Sequence, residues 1–133
     1  MQTSRYVDIT KSLRPVNLNK YFHCTFVFKG SNLLKIGINN YKKIHPYHKY
    51  GMYISEKESR KYEYHAGLHS EVDAIIKLGK TDCSDFSFLN IGLTKAGELT
   101  NSRPCTNCQR VLEQVGYKKI IFYNKQTKTW EKF

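Results

Sequence analysis

His69-Ser70-Glu71-Val72-Asp73-Ala74-Ile75-Ile76-Lys77-Leu78-Gly79, read with Pro104-Cys105-Thr106-Asn107-Cys108, decides how this chain folds and where its chemistry sits. Leu68, Val72, Ile75 and Ile76 recur at helical spacing and Gly79 is a C-terminal stop, which predicts a helix over 68–78. Pro104 presets a second helix start, Val111, Leu112 and Val115 give it an apolar stripe, and Gly116 ends it. His69 and Glu71 then fall in the first turn of one helix, and Cys105 and Cys108 in the first turn of the next. The spacing of the two cysteines puts both sulfurs on one face of that turn. Two helix N-termini converge, and their positive ends favour thiolate over thiol.

Working outward, the other elements are strands. Arg5 to Leu13 is weakly helical, and Pro15 stops it. Cys24 to Phe28 is β-branched and aromatic, and Leu33 to Ile38 is almost wholly apolar. The short turn Lys29-Gly30-Ser31-Asn32 between them predicts an antiparallel hairpin. Phe86 to Leu93 and Lys118 to Tyr123 are further strands, and Thr129 to Phe133 is a short last one. Lys95 to Glu98 reads as a turn. Only Asn124 to Lys128 separates the last two strands, too little for a parallel crossover, so they form an antiparallel hairpin. Asn39 to Tyr64 is a long polar stretch rich in Tyr, Lys and His, broken by Pro46 and Gly51. With no repeat or linker in 133 residues, the expectation is a single domain over 1–133, a sheet with helices on its faces.

The motif residues carry a specific chemistry. Zinc that activates water takes three protein ligands and leaves a fourth position open. His69, Cys105 and Cys108 supply three, and Glu71, two residues from His69, reaches the metal's surroundings without being a ligand. A carboxylate so placed shuttles protons as general base and then general acid. Cys-x-x-Cys alone also fits a redox pair or half of a structural zinc site, for which Cys83 or His65 could serve as fourth ligand although neither is paired as a zinc knuckle requires. The pairing of His-x-Glu with Pro-Cys-x-x-Cys, each at a helix start, is the signature of zinc deaminases of nucleobases.

The run His69 to Ile75 resembles the "HAEIDAI" segment of the cytidine/deoxycytidylate deaminase superfamily, with Ser70 where alanine is usual. Ser102 to Gln109 and Gly116 to Tyr123 resemble that superfamily's second half, and small phage and large-DNA-virus deaminase-like proteins are the nearest likeness. The resemblance runs from about Phe26 to the C-terminus. It implies a three-layer α/β/α fold around a mixed five-stranded sheet, Zn2+ as cofactor, and hydrolytic deamination of cytosine in a nucleoside or nucleotide (cytidine, CMP or dCMP type) to uracil. Glu71 is the implied catalytic residue, and His69, Cys105 and Cys108 the implied metal ligands. Asn39, ending Ile36-Gly37-Ile38-Asn39, is the implied sugar or base contact, with His45, Ser102, Arg103 and Pro104 as further substrate contacts. Homo-oligomers assembled through helices beside the site are common in such proteins. First-ligand His69 and an antiparallel last hairpin belong to different branches of the superfamily, so neither branch's substrate carries over directly.

Composition bounds the partners. A net charge of +11 favours an anionic partner, nucleotide or nucleic acid, although scattered lysines also follow from an AT-rich genome. Lys42, Lys43 and Lys49 are candidate phosphate or nucleic-acid contacts. Lysines interleaved with Tyr41, Tyr47, Tyr50, Tyr53, Tyr62 and Tyr64 suit the alternative, a deaminase acting on cytosine or adenine in single-stranded DNA or RNA. A third reading is a zinc-stabilised nucleic-acid-binding module without catalysis, for which Glu71 has no use. No apolar run approaches a membrane span, and Met1 to Arg5 is not followed by a signal-peptide core. The expected location is cytoplasmic, the host cytoplasm for a viral protein, with Cys24 and Cys83 as free buried thiols.

Overall fold

A computed structural model describes residues 2–15, 21–39 and 69–133. His45, Lys42, Lys43, Lys49, His65 and the loop tyrosines lie outside the described residues. In chain order the elements are α1 (Thr3–Leu13), β1 (Phe22–Lys29), β2 (Asn32–Ile38), α2 (Ser70–Leu78), β3 (Ser87–Leu93), β4 (Leu99–Thr100), α3 (Thr106–Val115), β5 (Lys119–Asn124) and β6 (Thr129–Lys132). The sheet runs β2-β1-β3-β5-β6, with β4 paired to β3. Only β3 and β5 pair in parallel, so the sheet is mixed. The short 125–128 connection makes β5 and β6 antiparallel, closing with Asn124 opposite Thr129.

Alternation in the strands builds two cores. Phe22, Cys24, Phe26 and Phe28 of β1 join Leu89, Ile91 and Leu93 of β3 under Val7 of α1. Tyr6 of α1 packs edge-on against Phe28 with ring centroids 5.1 Å apart. On the opposite face Val27, Phe88 and Ile120 pack beneath Val72, Ala74 and Ile75 of α2 and Val111 and Leu112 of α3. Helices therefore cover both faces, which is the three-layer α/β/α arrangement. β3 is buried along its whole length, as a strand between two helical layers must be. Among the described residues no helix is long and apolar enough to cross a membrane.

Local detail departs from the sequence reading at the helix starts. The helix expected from 68 begins at Ser70, and His69 is its N-cap with extended backbone (φ −78°, ψ 153°). The helix expected from Pro104 begins at Thr106, and Cys105 is its N-cap (φ −65°, ψ 164°). His69 and Cys105 thus precede the first turn, while Glu71 and Cys108 lie within it. Each cap is the last extended residue before its helix, which leaves the first-turn N–H groups facing the same space as the donor atoms. The two-residue strand β4, absent from the sequence reading, follows the expected turn because Thr94 and Glu98 close it by a backbone bond of 2.8 Å.

α2 is latched to the edge strand β2. Asp73 Oδ2 accepts from Ile38 N at 2.9 Å, and Lys77 Nζ donates to Ile36 O at 3.0 Å. These side chains satisfy edge groups that would otherwise invite another strand. Gly37 lets the helix approach: a Cβ there would lie 2.6 Å from Ala74 N and run into the Ser70 carbonyl. Gly37→Ala is therefore expected to destabilise the protein by about 3 kcal/mol, the upper end of overpacking costs because backbone must give way. Urea unfolding midpoints check this, and an unchanged midpoint contradicts the close approach.

Candidate metal centre and adjoining cavity

The two caps bring their side chains together. His69 Nδ1 is 3.2 Å from Cys108 Sγ and 3.5 Å from Cys105 Sγ. Among the described residues these three are the His/Cys/Asp/Glu group able to hold a metal ion, with donor atoms all within 4.8 Å of one another. Cys108, one turn into α3, is fully buried in the core beneath α2, which fixes one sulfur rigidly. Cys105 Sγ accepts the Cys108 backbone N–H at 3.4 Å, capping the helix. A hydrogen bond from the Cys108 thiol, opposed by burial and joined by the adjacent His69, brings the Cys105 thiol down to about 4. The same hydrogen bond and burial push the Cys108 thiol well up. Cys105 is thus a thiolate ready to ligate, and a metal must displace the Cys108 proton.

A cavity of about 260 Å³ opens beside the donors. Its inner wall is His69, Ser70 and Glu71; one side is Tyr21, His23 and Asn39; the other is Ser102, Arg103 and Cys105. Glu71 is only 7 % exposed, and burial raises its carboxyl above the usual range while His69 pulls it back. Its Oε1 accepts from Ser70 Oγ at 2.9 Å. A buried carboxyl that lines a cavity beside a group able to hold a metal, and outside that group, can exchange protons with what the cavity holds.

The other residues singled out in the sequence take differing places. Asn39 reaches the cavity, but its amide also knits β2 to β1: Oδ1 accepts from His23 N at 2.9 Å and Nδ2 donates to Tyr21 O at 3.1 Å. One amide proton and one lone pair remain for a ligand. Ser102 lines the cavity with its hydroxyl already engaged, donating to Asn90 O at 2.7 Å and accepting from Tyr123 N at 2.8 Å. Arg103 is exposed on the rim, its guanidinium 5.4 Å from the Phe122 ring centre and 5.0 Å from that of Phe133. Pro104 is buried outside the cavity wall, its carbonyl accepting from Gln109 Nε2 at 2.8 Å.

His23 escaped the sequence reading. It shares a strand face with Thr25 and Val27, and period-two alternation toward the motif helices was the available signal. Burial, with His69 next in effect, lowers its imidazole to about 4, so it is neutral at pH 7. Gly92 makes room for it: a Cβ there would lie 2.7 Å from His23 Cε1. Comparison with protein-family models finds no match, and comparison with curated proteins finds none. The functional reading therefore rests on this geometry and on the motifs.

Proposed function

We propose that this chain is a zinc-dependent hydrolase that deaminates cytosine in a nucleoside or nucleotide of the cytidine, CMP or dCMP type, giving the uracil form and ammonia. The observation that carries this reading is Glu71, a buried carboxylate on a cavity wall beside a His/Cys/Cys donor set and outside it. A purely structural metal site has no use for such a group. The donor set suits zinc. Tetrahedral zinc, with Zn–N about 2.05 Å and Zn–S about 2.3 Å, holds its N and S ligands about 3.5 Å apart. The observed separations are 3.2 and 3.5 Å.

Bound zinc supplies the Lewis acidity that lets water ionise near neutral pH. The chain's residues do the rest. Glu71 accepts a proton from the water that adds to the amine-bearing carbon and passes it to the ring nitrogen; it then takes the proton of the newly attached hydroxyl and delivers it to the amine, so that the C–N bond breaks, the carbonyl forms and ammonia leaves. Its burial helps it hold that proton between the steps. His23 offers the ring a neutral hydrogen-bonding edge instead of a charge. The remaining amide proton and lone pair of Asn39 face the same space.

Arg103 suits a phosphate. Two aromatic faces hold its guanidinium at the rim, and among the described residues no carboxylate pairs with it. Arg103→Gln is expected to raise KM for CMP and dCMP by about tenfold while leaving cytidine unchanged, since a charge-assisted hydrogen bond contributes about 1.5–3 kcal/mol. Equal effects on all three substrates remove Arg103 from phosphate recognition. The reaction itself is tested by ammonia release from cytidine, CMP, dCMP, dCTP and a cytosine-bearing single strand. Turnover of the strand alone moves the assignment to a polynucleotide deaminase. No ammonia from zinc-loaded protein with any substrate, an adenine-bearing strand included, leaves a zinc-stabilised binding module.

A further inference from the structure

A buried polar line crosses the layers behind Glu71. Asn90 Nδ2 in the middle of β3 donates to Ser102 O at 3.3 Å, which makes Oδ1 its accepting end. Thr25 Oγ1 on β1 donates its one proton as a shared, three-centre bond, to Asn90 Oδ1 at 2.8 Å and to Ser70 Oγ at 2.8 Å. Ser70 Oγ in turn donates to Glu71 Oε1 at 2.9 Å. Thr25, Ser70 and Asn90 are 0 %, 1 % and 2 % exposed. Burying three polar side chains between apolar layers is costly unless each is hydrogen-bonded, and here they satisfy one another in sequence. Valine has the shape of threonine and would suit this position of β1, between Cys24 and Phe26, without the hydroxyl. Ser70 likewise stands where the resembled motif carries alanine.

The line ends on one oxygen of one carboxylate. The Glu71 side chain has several torsions, so its carboxylate needs a fixed partner to keep one orientation, and the Ser70 hydroxyl is that partner. A hydroxyl fixed from behind selects that orientation. We propose that Ser70 and Thr25 are positioning residues for Glu71: Thr25, held by Asn90, orients the Ser70 hydroxyl, and that hydroxyl holds Oε1 so that the carboxylate faces the cavity. The proposal rests on the deaminase reading for its kinetic consequences, but not for its geometric one. Removing the hydroxyls frees the Glu71 carboxylate to leave its orientation toward the cavity, and misplacing a proton-transfer group by a fraction of its reach lowers kcat more than KM.

The test uses zinc-loaded protein and four variants. Thr25→Val removes the remote hydroxyl with its shape kept, Thr25→Ser restores it, Ser70→Ala removes the near one, and the double variant Ser70→Ala/Thr25→Val breaks the line twice. Thr25→Val and Ser70→Ala are expected to lower kcat by about tenfold or more with KM little changed and zinc retained, and Thr25→Ser to recover the rate. The double variant is expected to be no worse than Ser70→Ala alone, because both substitutions break one line. The Glu71 carboxylate band, assigned in the infrared by difference from Glu71→Gln, is expected to shift in Thr25→Val and Ser70→Ala and to return in Thr25→Ser. An unmoved band in both hydroxyl-deleted variants overturns the proposal. So does a fall in rate matched by a fall in bound zinc. Wild-type protein inactive on every substrate defeats the assigned reaction, while the infrared comparison still decides whether the line positions Glu71.

Discussion

Glu71→Gln is expected to abolish measurable deamination while leaving zinc content and fold in place. The amide is nearly the same size, and the Ser70 hydroxyl can still donate to its oxygen, so packing at the wall is conserved. What disappears is the capacity to take up and return a proton. A single general acid or base contributes about a hundredfold to ten-thousandfold, and this group is asked to act twice in one turnover, so the loss belongs at the upper end. The substitution also removes a buried group whose charge is costly to bury, so the variant should be at least as stable as the wild type. Initial rates, zinc per chain and a thermal unfolding midpoint measured together separate the cases. Rates near wild type take Glu71 out of the mechanism; a collapse in zinc makes it a structural neighbour of the metal instead.

The parts of this protein legible in the sequence are those governed by local pattern. Short β-branched, aromatic and apolar runs bounded by turn residues mark the strands, and the short 125–128 turn fixes the antiparallel pairing of β5 and β6. The metal group was legible because its residues sit at helix starts, where spacing restricts geometry. What was hidden depends on pairing between distant segments. Ser70 looks like a tolerated stand-in for alanine until β1 is placed under α2 and Thr25, 45 residues earlier, meets its hydroxyl. His23 becomes a wall residue only once Gly92, its partner on β3, leaves it room. The resemblance implies Ser102 and Asn39 as substrate contacts. Their side chains also stitch the sheet together, a second role that no single-strand pattern announces. The shift of both helix starts by two residues has a similar origin, since an N-cap is defined by backbone extension that propensity does not register.

Removal of a ligand is expected to have an effect as large as removal of the acid–base group, and of a different kind. Cys105→Ala should leave the chain without tightly bound zinc, because among the described residues a His/Cys pair is all that remains of the group. Two costs are then superimposed. One is the lost N-cap acceptor for Cys108 N, about 1 kcal/mol. The other is the loss of stabilisation by metal binding, which grows with the ratio of free zinc to its dissociation constant and reaches about 4 kcal/mol at a thousandfold excess. The half-exposed Cys105 is a better choice than Cys108, whose burial in the core would add a cavity to the account. Chelator separates the two costs. Stripped wild type and Cys105→Ala should unfold within about 1 kcal/mol of each other, the difference being the cap. Added zinc should then raise the midpoint of the wild type and not that of the variant. Undiminished zinc in Cys105→Ala excludes it as a ligand. Equal zinc-induced stabilisation of both proteins places the metal elsewhere in the chain, and with it the chemistry assigned to this cavity.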